Sequence, residues 1–358
     1  MCAAVYRGIG DVRVEEIERP QIGAGELLVR IAACGVCWTD LKKIDRGTVP
    51  PPRVFGHEMA GVVAEAGAGL SGYRVGERVQ VYHHIPCRKC SYCNRRLYAQ
   101  CAGYKKTGVT AGFEPAGGGF AEFVRVMPWI VEGGGVTRVP DGVSLDAASF
   151  LEPVNTCLKC VRVARLRPRN SVLIVGAGSI GLILARLCVL AGADVYVSEP
   201  MEDRRERARA SGARDVADPR ATDVSEWLRA ATKGRGADAA IVAVPGQAPL
   251  DAAVNGVRPG GRVVLFAHTK LADPVTVDAG QICFLEKDVV GAYSADADLN
   301  DEVADLVFSG RLQVEDLISH RFELVDAPQA FELARKPVAG SMKVLVTVRK
   351  TTGDGAVA

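Results

Sequence analysis

Several things are scarce in this chain of 358 residues, and each shortage removes a class of function. Net charge is nearly absent: 44 Lys and Arg against 42 Asp and Glu leave +2, which gives no case for nucleic acid or a strongly acidic partner. Long apolar runs are missing too. The stretch "SIGLILARLCVLAGA" is interrupted by Arg186 and falls short of the ~20 residues a membrane span needs. The start, "MCAAVYRGIGDVRVEE", is charged early and lacks the apolar core of a secretory leader, so a reduced, cytoplasmic setting is expected. No internal repeat is visible. Histidine is limited to five residues, which leaves few candidates for imidazole chemistry. With 48% hydrophobic and 24% charged residues, the remainder is ordinary globular material, and the length favours two domains.

Cysteine is abundant only in one place. Of 11 cysteines, four fall in "CRKCSYCNRRLYAQC", as Cys87, Cys90, Cys93 and Cys101 in C-x2-C-x2-C-x7-C. Short spacers let consecutive thiolates turn inward around one tetrahedral ion, the arrangement of a closed four-cysteine zinc site. A disulfide framework fits poorly without a leader, and iron–sulfur clusters usually use another cysteine register. Four thiolates leave no open coordination position, so this cluster is expected to be a clasp. The reaction must lie elsewhere.

The texture changes along the chain. To about residue 130 the text reads as strand and turn, with "GELLVRIAAC", "HEMAGVVAEAG", "GERVQVYHH" and "FAEFVRV" as short apolar runs separated by Gly and Pro; this is a β-rich domain. From about 155, "SVLIVGAG", "DVYVSEP", "ADAAIVAVPG", "GGRVVLFAHT" and "KDVVGAYSA" alternate with helical stretches, which predicts a parallel sheet covered on both faces. The late segment "GSMKVLVTVRK" returns to a strand pattern that can rejoin the first domain, and the tail "TTGDGAVA" reads as disordered. The expected division is 1–152, completed by 290–358, around 153–289.

"VLIVGAGSIG" carries Gly176, Gly178 and Gly181 in G-x-G-x-x-G between an apolar strand and a helix that Ser179 and Ile180 open, and Glu199 ends the next strand. That context marks a dinucleotide site. The glycines give the tight turn, the backbone approach to a pyrophosphate and close helix packing, while the helix N-terminus favours the phosphate charge. Glu199 accepts from the ribose hydroxyls and repels a 2′-phosphate, so NAD is expected over NADP. Arg204 and Arg205 work against that preference, because a basic group tolerates a phosphate.

Cys37 in "CGVCWTD", His57 and Glu58 in "FGHEMAG", and Glu152 in "FLEPVNT" form a candidate mixed metal set that leaves a position for water or substrate. His83 and His84 adjoin the clasp and are assigned structural roles. His268 and His320 are single, His268 following a strand end expected to face the cofactor.

In their order and spacing, "GVCWTD", "GHE", the four-cysteine lobe, "EP" and "GAGSIG" resemble the zinc-dependent medium-chain dehydrogenases of the alcohol, sorbitol and threonine dehydrogenase type over nearly the whole length. The resemblance implies an α/β fold: a Rossmann doubly wound parallel sheet plus a β-rich GroES-like catalytic domain. It implies two zinc ions per chain, with Cys37 and His57 ligating the catalytic one and Glu58 or Glu152 completing its shell. It implies hydride transfer between a secondary alcohol (a polyol, sugar alcohol, cyclitol or amino alcohol) and NAD, with Thr39 handing the proton towards solvent. Glutamate at position 152 resembles the polyol and threonine branch. Where relatives often carry a relay histidine, this chain has Lys42 and Lys43. A homodimer or homotetramer acting on a small molecule is expected. The alternatives are a zinc-free quinone or enoyl reductase and a catalytically silent binding protein on the same fold.

Overall fold

The computed structural model describes residues 1–105, 116–267 and 274–348; His268 and the tail lie outside them. The chain forms two compact units, Met1–Glu152 with Asp296–Ala358, and Pro153–Ala295. No helix among the described residues is long and apolar enough to cross a membrane.

The first unit opens with β1 (Cys2–Gly8), β2 (Asp11–Glu16), β3 (Leu27–Gly35), helix α1 (Trp38–Arg46), β4 (Arg53–Val54), β5 (Glu58–Ala66) and β6 (Arg78–Val81). After the cysteine-rich segment come β7 (Phe123–Val126), α2 (Pro128–Glu132), β8 (Val136–Arg138), α3 (Leu145–Ser149) and the beginning of α4 (Leu151–Ala164). The second unit holds β9 (Ser171–Val175), α5 (Ser179–Leu190), β10 (Asp194–Ser198), α6 (Glu202–Ala210), β11 (Asp215–Ala217), α7 (Val224–Ala231), β12 (Ala237–Val242), α8 (Gln247–Gly256), β13 (Val257–Leu265), α9 (Ala279–Cys283) and β14 (Asp288–Gly291). The chain then returns to the first unit with α10 (Asn300–Phe308), β15 (Ile318–Glu323), α11 (Ala327–Arg335) and β16 (Lys343–Thr347).

β3 is the spine of the first unit. Its sequence LLVRIAACG is mostly buried, because β5, β7 and β16 all pair with it. The resulting sheet has seven strands, β15-β16-β3-β5-β6-β8 with β7 against β3, beside a small sheet β2-β1-β4. The pairing of β16 with β3 brings Lys343, at the start of the last strand, to the same end of the sheet as Gly35 and Glu58. α1 was not read from the sequence. It ends at Gly47 in a left-handed conformation (φ 60°), with Lys43 and Arg46 in its last turn, which are ordinary C-terminal signals.

The second unit is a parallel sheet ordered β11-β10-β9-β12-β13-β14, the doubly wound order. SVLIV in β9 is buried throughout, as a central parallel strand covered on both faces must be. Leu173, Tyr196, Leu228, Leu250 and Val263 share one continuous apolar cluster between the sheet and α7 and α8. β14 pairs in parallel with β13 through Arg262–Leu265, so the unit runs past the boundary at 289 drawn from the sequence.

Candidate active site and metal centres

The cysteine-rich segment has neither α-helix nor ladder to hold it. Its turns, Cys93–Arg95, Tyr98–Gln100 and Ala102–Lys105, are 3-10, and its core is a small cluster of Cys93, Tyr98, Ala99, Cys101 and Tyr104. The four sulfurs Cys87, Cys90, Cys93 and Cys101 nonetheless lie within 4.8 Å of one another. Cys90 and Cys93 are 3.5 Å apart, and Cys87 and Cys93 are 4.0 Å apart. Sulfurs bound tetrahedrally at ~2.3 Å stand about 3.8 Å from each other, so the lobe fits a zinc ion. Backbone N–H groups of Lys89 and Cys93 lower the pKa values of Cys87 and Cys90, while burial raises that of Cys93. The lobe is tied to the rest of its unit at Asp298, which accepts from Arg88 at 2.8 Å and from the Tyr98 hydroxyl at 2.7 Å.

A second cluster, of mixed donors, sits where β3, α1, β5 and β16 meet. Cys37 occupies the N-cap of α1, in extended conformation. His57 lies just before β5, and Glu58 begins it. Gly56 takes φ 102°, which turns the chain into β5 and lets neighbouring side chains aim at one point. Donor atoms of Cys37, His57 and Glu58 all lie within 4.8 Å of one another. A thiolate, an imidazole and a carboxylate at this spacing suit zinc with an open position. Glu152, in the first turn of α4, is buried but does not belong to that set. Burial raises its pKa to about 7, against the opposing pull of His57.

Two further residues complete the cluster, and pattern reasoning missed both. Asp40, wholly buried, places Oδ1 3.2 Å from His57 Nδ1 and accepts from the Cys37 backbone N–H at 3.1 Å. It thereby faces one imidazole nitrogen and leaves Nε2 for a metal, the usual carboxylate–histidine arrangement. Burial alone would lower the His57 pKa, but the charges of Asp40 and Cys37 outweigh it and raise it well above its ordinary value. Lys343 pairs with Glu58 Oε2 and donates to the Val36 carbonyl at 3.2 Å. Burial disfavours its charge, yet the Glu58 carboxylate outweighs this and holds the ammonium. Asp40 stands inside the quoted "CGVCWTD", where nothing marks it without the helix that follows. Lys343 carries no local signal.

Asp40→Asn keeps the shape and removes the charge that orients His57. The expected result is a loss of zinc affinity or turnover of about 10–100-fold, measured by competition with a chromophoric chelator. A purely structural role for Asp40 would shift Tm and leave metal affinity unmoved.

Thr39 lies half-buried in the first turn of α1, beside the exposed Trp38. Lys42, a turn further on, has its pKa lowered, chiefly by burial. His83 and His84 are buried, and their rings continue a row: His57 to His83 at 4.9 Å, His83 to His84 at 3.8 Å, and His84 to Tyr104 of the cysteine lobe at 4.5 Å. His320, on β15, stands apart, 2.9 Å from the Ser319 hydroxyl.

In the second unit, Gly176 takes φ 97° at the carboxyl end of β9. A Cβ on Gly181 would meet the Gly176 carbonyl at 2.0 Å, so only glycine permits that strand–helix approach. Gly178 is the N-cap of α5, which begins with Ser179 and Ile180. Glu199 follows β10 and is buried; its carboxylate accepts from Ala177 N at 2.7 Å and from Met201 N at 3.0 Å. It therefore also braces the glycine turn. Arg205 is committed elsewhere, to the carbonyls of Glu199 and Pro200 and to Glu202 and Asp218. Arg204 is the basic group at the turn, its guanidinium 4.0 Å from where a Gly178 Cβ would sit.

Residues 23–141 match the family model described as the alcohol dehydrogenase GroES-like domain, and residues 179–309 match the zinc-binding dehydrogenase model. The L-threonine 3-dehydrogenase of Pyrococcus horikoshii is 31% identical, over 91% of this chain and 93% of its own. The sorbitol dehydrogenase of Bacillus subtilis is 25% identical over 97% of each chain. Among solved structures, a chain described as a zinc-binding dehydrogenase from Sinorhizobium meliloti 1021, bound to NADP, superposes with TM-score 0.87 at 29% identity, covering 97% of this chain and 98% of that one.

Proposed function

This chain belongs to the zinc-dependent medium-chain dehydrogenase family, and on that premise we propose that Cys37, His57 and Glu58 hold the zinc of a site that oxidises an alcohol with NAD. The protein is an alcohol or polyol oxidoreductase. The observation that carries the assignment of the site is the convergence of a thiol, an imidazole and a carboxylate within 4.8 Å, in a unit whose other sulfur cluster is closed to substrate. Zinc and nicotinamide, when bound, supply a Lewis acid that lowers the pKa of an adjacent alcohol and an acceptor for its hydride.

The chain's own residues supply the rest. Cys37 and His57 are the permanent ligands. Asp40 keeps the imidazole in the tautomer that presents Nε2. Lys343 holds the Glu58 carboxylate, which must share itself between the ammonium and the metal. Glu152 stands behind this set as a buried carboxyl near neutrality, able to approach a cation that stabilises its anion. Thr39 Oγ1 takes the alcohol's proton and passes it outward. A buried, highly polar site of this kind suits a hydroxyl on a multiply substituted carbon chain, such as a polyol, cyclitol or amino alcohol. The second zinc belongs to Cys87, Cys90, Cys93 and Cys101.

NAD is the proposed cofactor, because the Glu199 charge opposes a 2′-phosphate and Arg205 is already engaged. A preference of at least about tenfold in kcat/KM is expected, the effect of ~1.4 kcal/mol of repulsion. Glu199→Ser narrows the preference and also lowers the NAD value, since Ala177 N and Met201 N lose their acceptor. The experiment is to follow NADH and NADPH absorbance over a panel of polyols, amino alcohols and secondary alcohols. Equal kcat/KM with both cofactors removes the NAD assignment; reduction of quinones or enoyl compounds without zinc, and no alcohol oxidation, removes the reaction.

A further inference from the structure

The second unit contains a cavity that the nucleotide site does not use. It has a volume of about 580 Å³ and is lined by Arg229, Arg235 and Lys287 together with Asn255, Gln281 and Leu285 among others; no Asp or Glu lines it. Its place in the sheet is defined by the strand starts. Ala237 opens β12, Val257 opens β13 and Asp288 opens β14, and the lining residues Gly236, Val257 and Lys287 sit at those openings. β9, β12, β13 and β14 run parallel, so the cavity lies at the amino ends of the strands. Gly176 and the glycine turn lie at the carboxyl end of β9, the opposite edge.

The charges in the lining face no acid there, although Asp223, outside it, lies near enough to feel Arg229. Lys287 is 5% exposed, and its ammonium donates only to neutral oxygens, Val254 O at 2.7 Å and Gln281 Oε1 at 2.7 Å. A buried ammonium without a counter-ion is costly. Arg229, exposed, reaches the Ser225 hydroxyl at 3.1 Å and the Asn255 carbonyl at 3.5 Å, again neutral groups. Arg235, exposed, donates its backbone N–H to Thr232 O at 3.3 Å, and its guanidinium makes no hydrogen bond or ion pair among the described residues. Elsewhere in this unit arginines find carboxylates readily: Arg258 with Asp238, Arg262 with Asp288, Arg205 with Asp218. Three cations around one hollow with no acid in its lining is therefore a local exception in a nearly neutral chain. Burial, and next the like charge of Arg229, lower the Lys287 pKa, the direction that an arriving anion would reverse.

We propose that this cavity is a second ligand site, which binds the phosphoryl group of a small phosphorylated metabolite. A doubly charged phosphoryl group matches the fork of an arginine and the point charge of a lysine. The volume is that of a small-molecule site and exceeds what free phosphate fills. Gln281 bridges Lys287 and Asn255, accepting from the ammonium at 2.7 Å and donating to Asn255 Oδ1 at 2.6 Å, which fixes these polar groups at the wall, and Leu285, Val257 and Pro259 supply an apolar side.

Calorimetric titration of the full chain with glycerol 3-phosphate and, separately, inorganic phosphate tests this, with potassium chloride at matched ionic strength as the reference. Arg235→Ser and Arg229→Gln are the variants; both side chains are exposed, so the core is untouched. The expected result is saturable binding of the ester by the parent chain, weakened at least tenfold in each variant, with basal alcohol oxidation unchanged. Weaker binding of inorganic phosphate identifies an organic phosphate as the ligand; equal binding of both identifies free phosphate in the same site. Phosphate bound at the glycine turn instead would survive both substitutions. Identical binding by parent and variants, or heats no larger than those of chloride, overturns the proposal.

Discussion

Cys37→Ser lowers zinc from about two ions per chain to about one and reduces kcat/KM on the order of 10³-fold or more. The size follows from the chemistry: Lewis-acid stabilisation of a developing charge is worth several kcal/mol, and each ~1.4 kcal/mol is a factor of ten. Serine is chosen because it separates ligation from folding. Cys37 is the N-cap of α1, a position serine favours, so the helix should persist while a soft thiolate is replaced by a hydroxyl that stays protonated. Zinc analysis, kinetics and Tm on one preparation check the result. The retained ion is that of the four-cysteine lobe. If Cys37→Ser keeps both ions and full turnover, Cys37 is an ordinary capping thiol and the reactive site lies elsewhere.

The second large effect is structural. Cys101→Ser should release zinc from the lobe, open the segment 87–105 to proteolysis and lower Tm, with much smaller damage to kcat in the molecules that remain folded. Closed zinc sites contribute folding free energy directly, an apparent ~10–16 kcal/mol in zinc-finger peptides, and this lobe has little else. It consists of 3-10 turns around five small or aromatic side chains, anchored at Asp298 and by the ring of Tyr104 against His84. Three remaining thiols cannot close a tetrahedron. Unchanged Tm and zinc content alongside lost turnover would reverse the assignment and make the lobe part of the reaction.

The two cases differ in how far the sequence reveals them. The lobe and the glycine turn are short-range: their ligands or glycines sit a few residues apart, and spacing alone encodes the geometry. The alternation of apolar runs and helices from residue 155 onwards likewise reports a parallel sheet, because a strand such as SVLIV that is covered on both faces leaves no other pattern. The mixed site is long-range. Cys37 comes from the start of α1 and His57 and Glu58 from the start of β5, so the sequence shows them only as residue types and through family resemblance. Their supports are harder still to see. The Glu58–Lys343 pair joins the starts of β5 and β16 across the whole chain, and no local periodicity marks it. Asp40 lies in plain view, but its role exists only once α1 forms, and the sequence from 1 to 130 has the texture of strand and turn. The two arginines after Glu199 read alike in sequence, although the fold commits Arg205 to backbone carbonyls and acids and leaves Arg204 at the turn. Glu152, expected to share ligand duty with Glu58, stands outside the closest donor set, so any ligation by it requires movement.

The account rests on two metal positions of different chemistry, and anomalous diffraction at the zinc edge from crystals of the full chain locates them directly. It predicts two peaks per chain, one enclosed by the sulfurs of Cys87, Cys90, Cys93 and Cys101, the other among Cys37 Sγ, His57 Nε2 and the Glu58 carboxylate. A zinc-replete crystal with a peak in the cysteine lobe and none at Cys37 and His57 would contradict it.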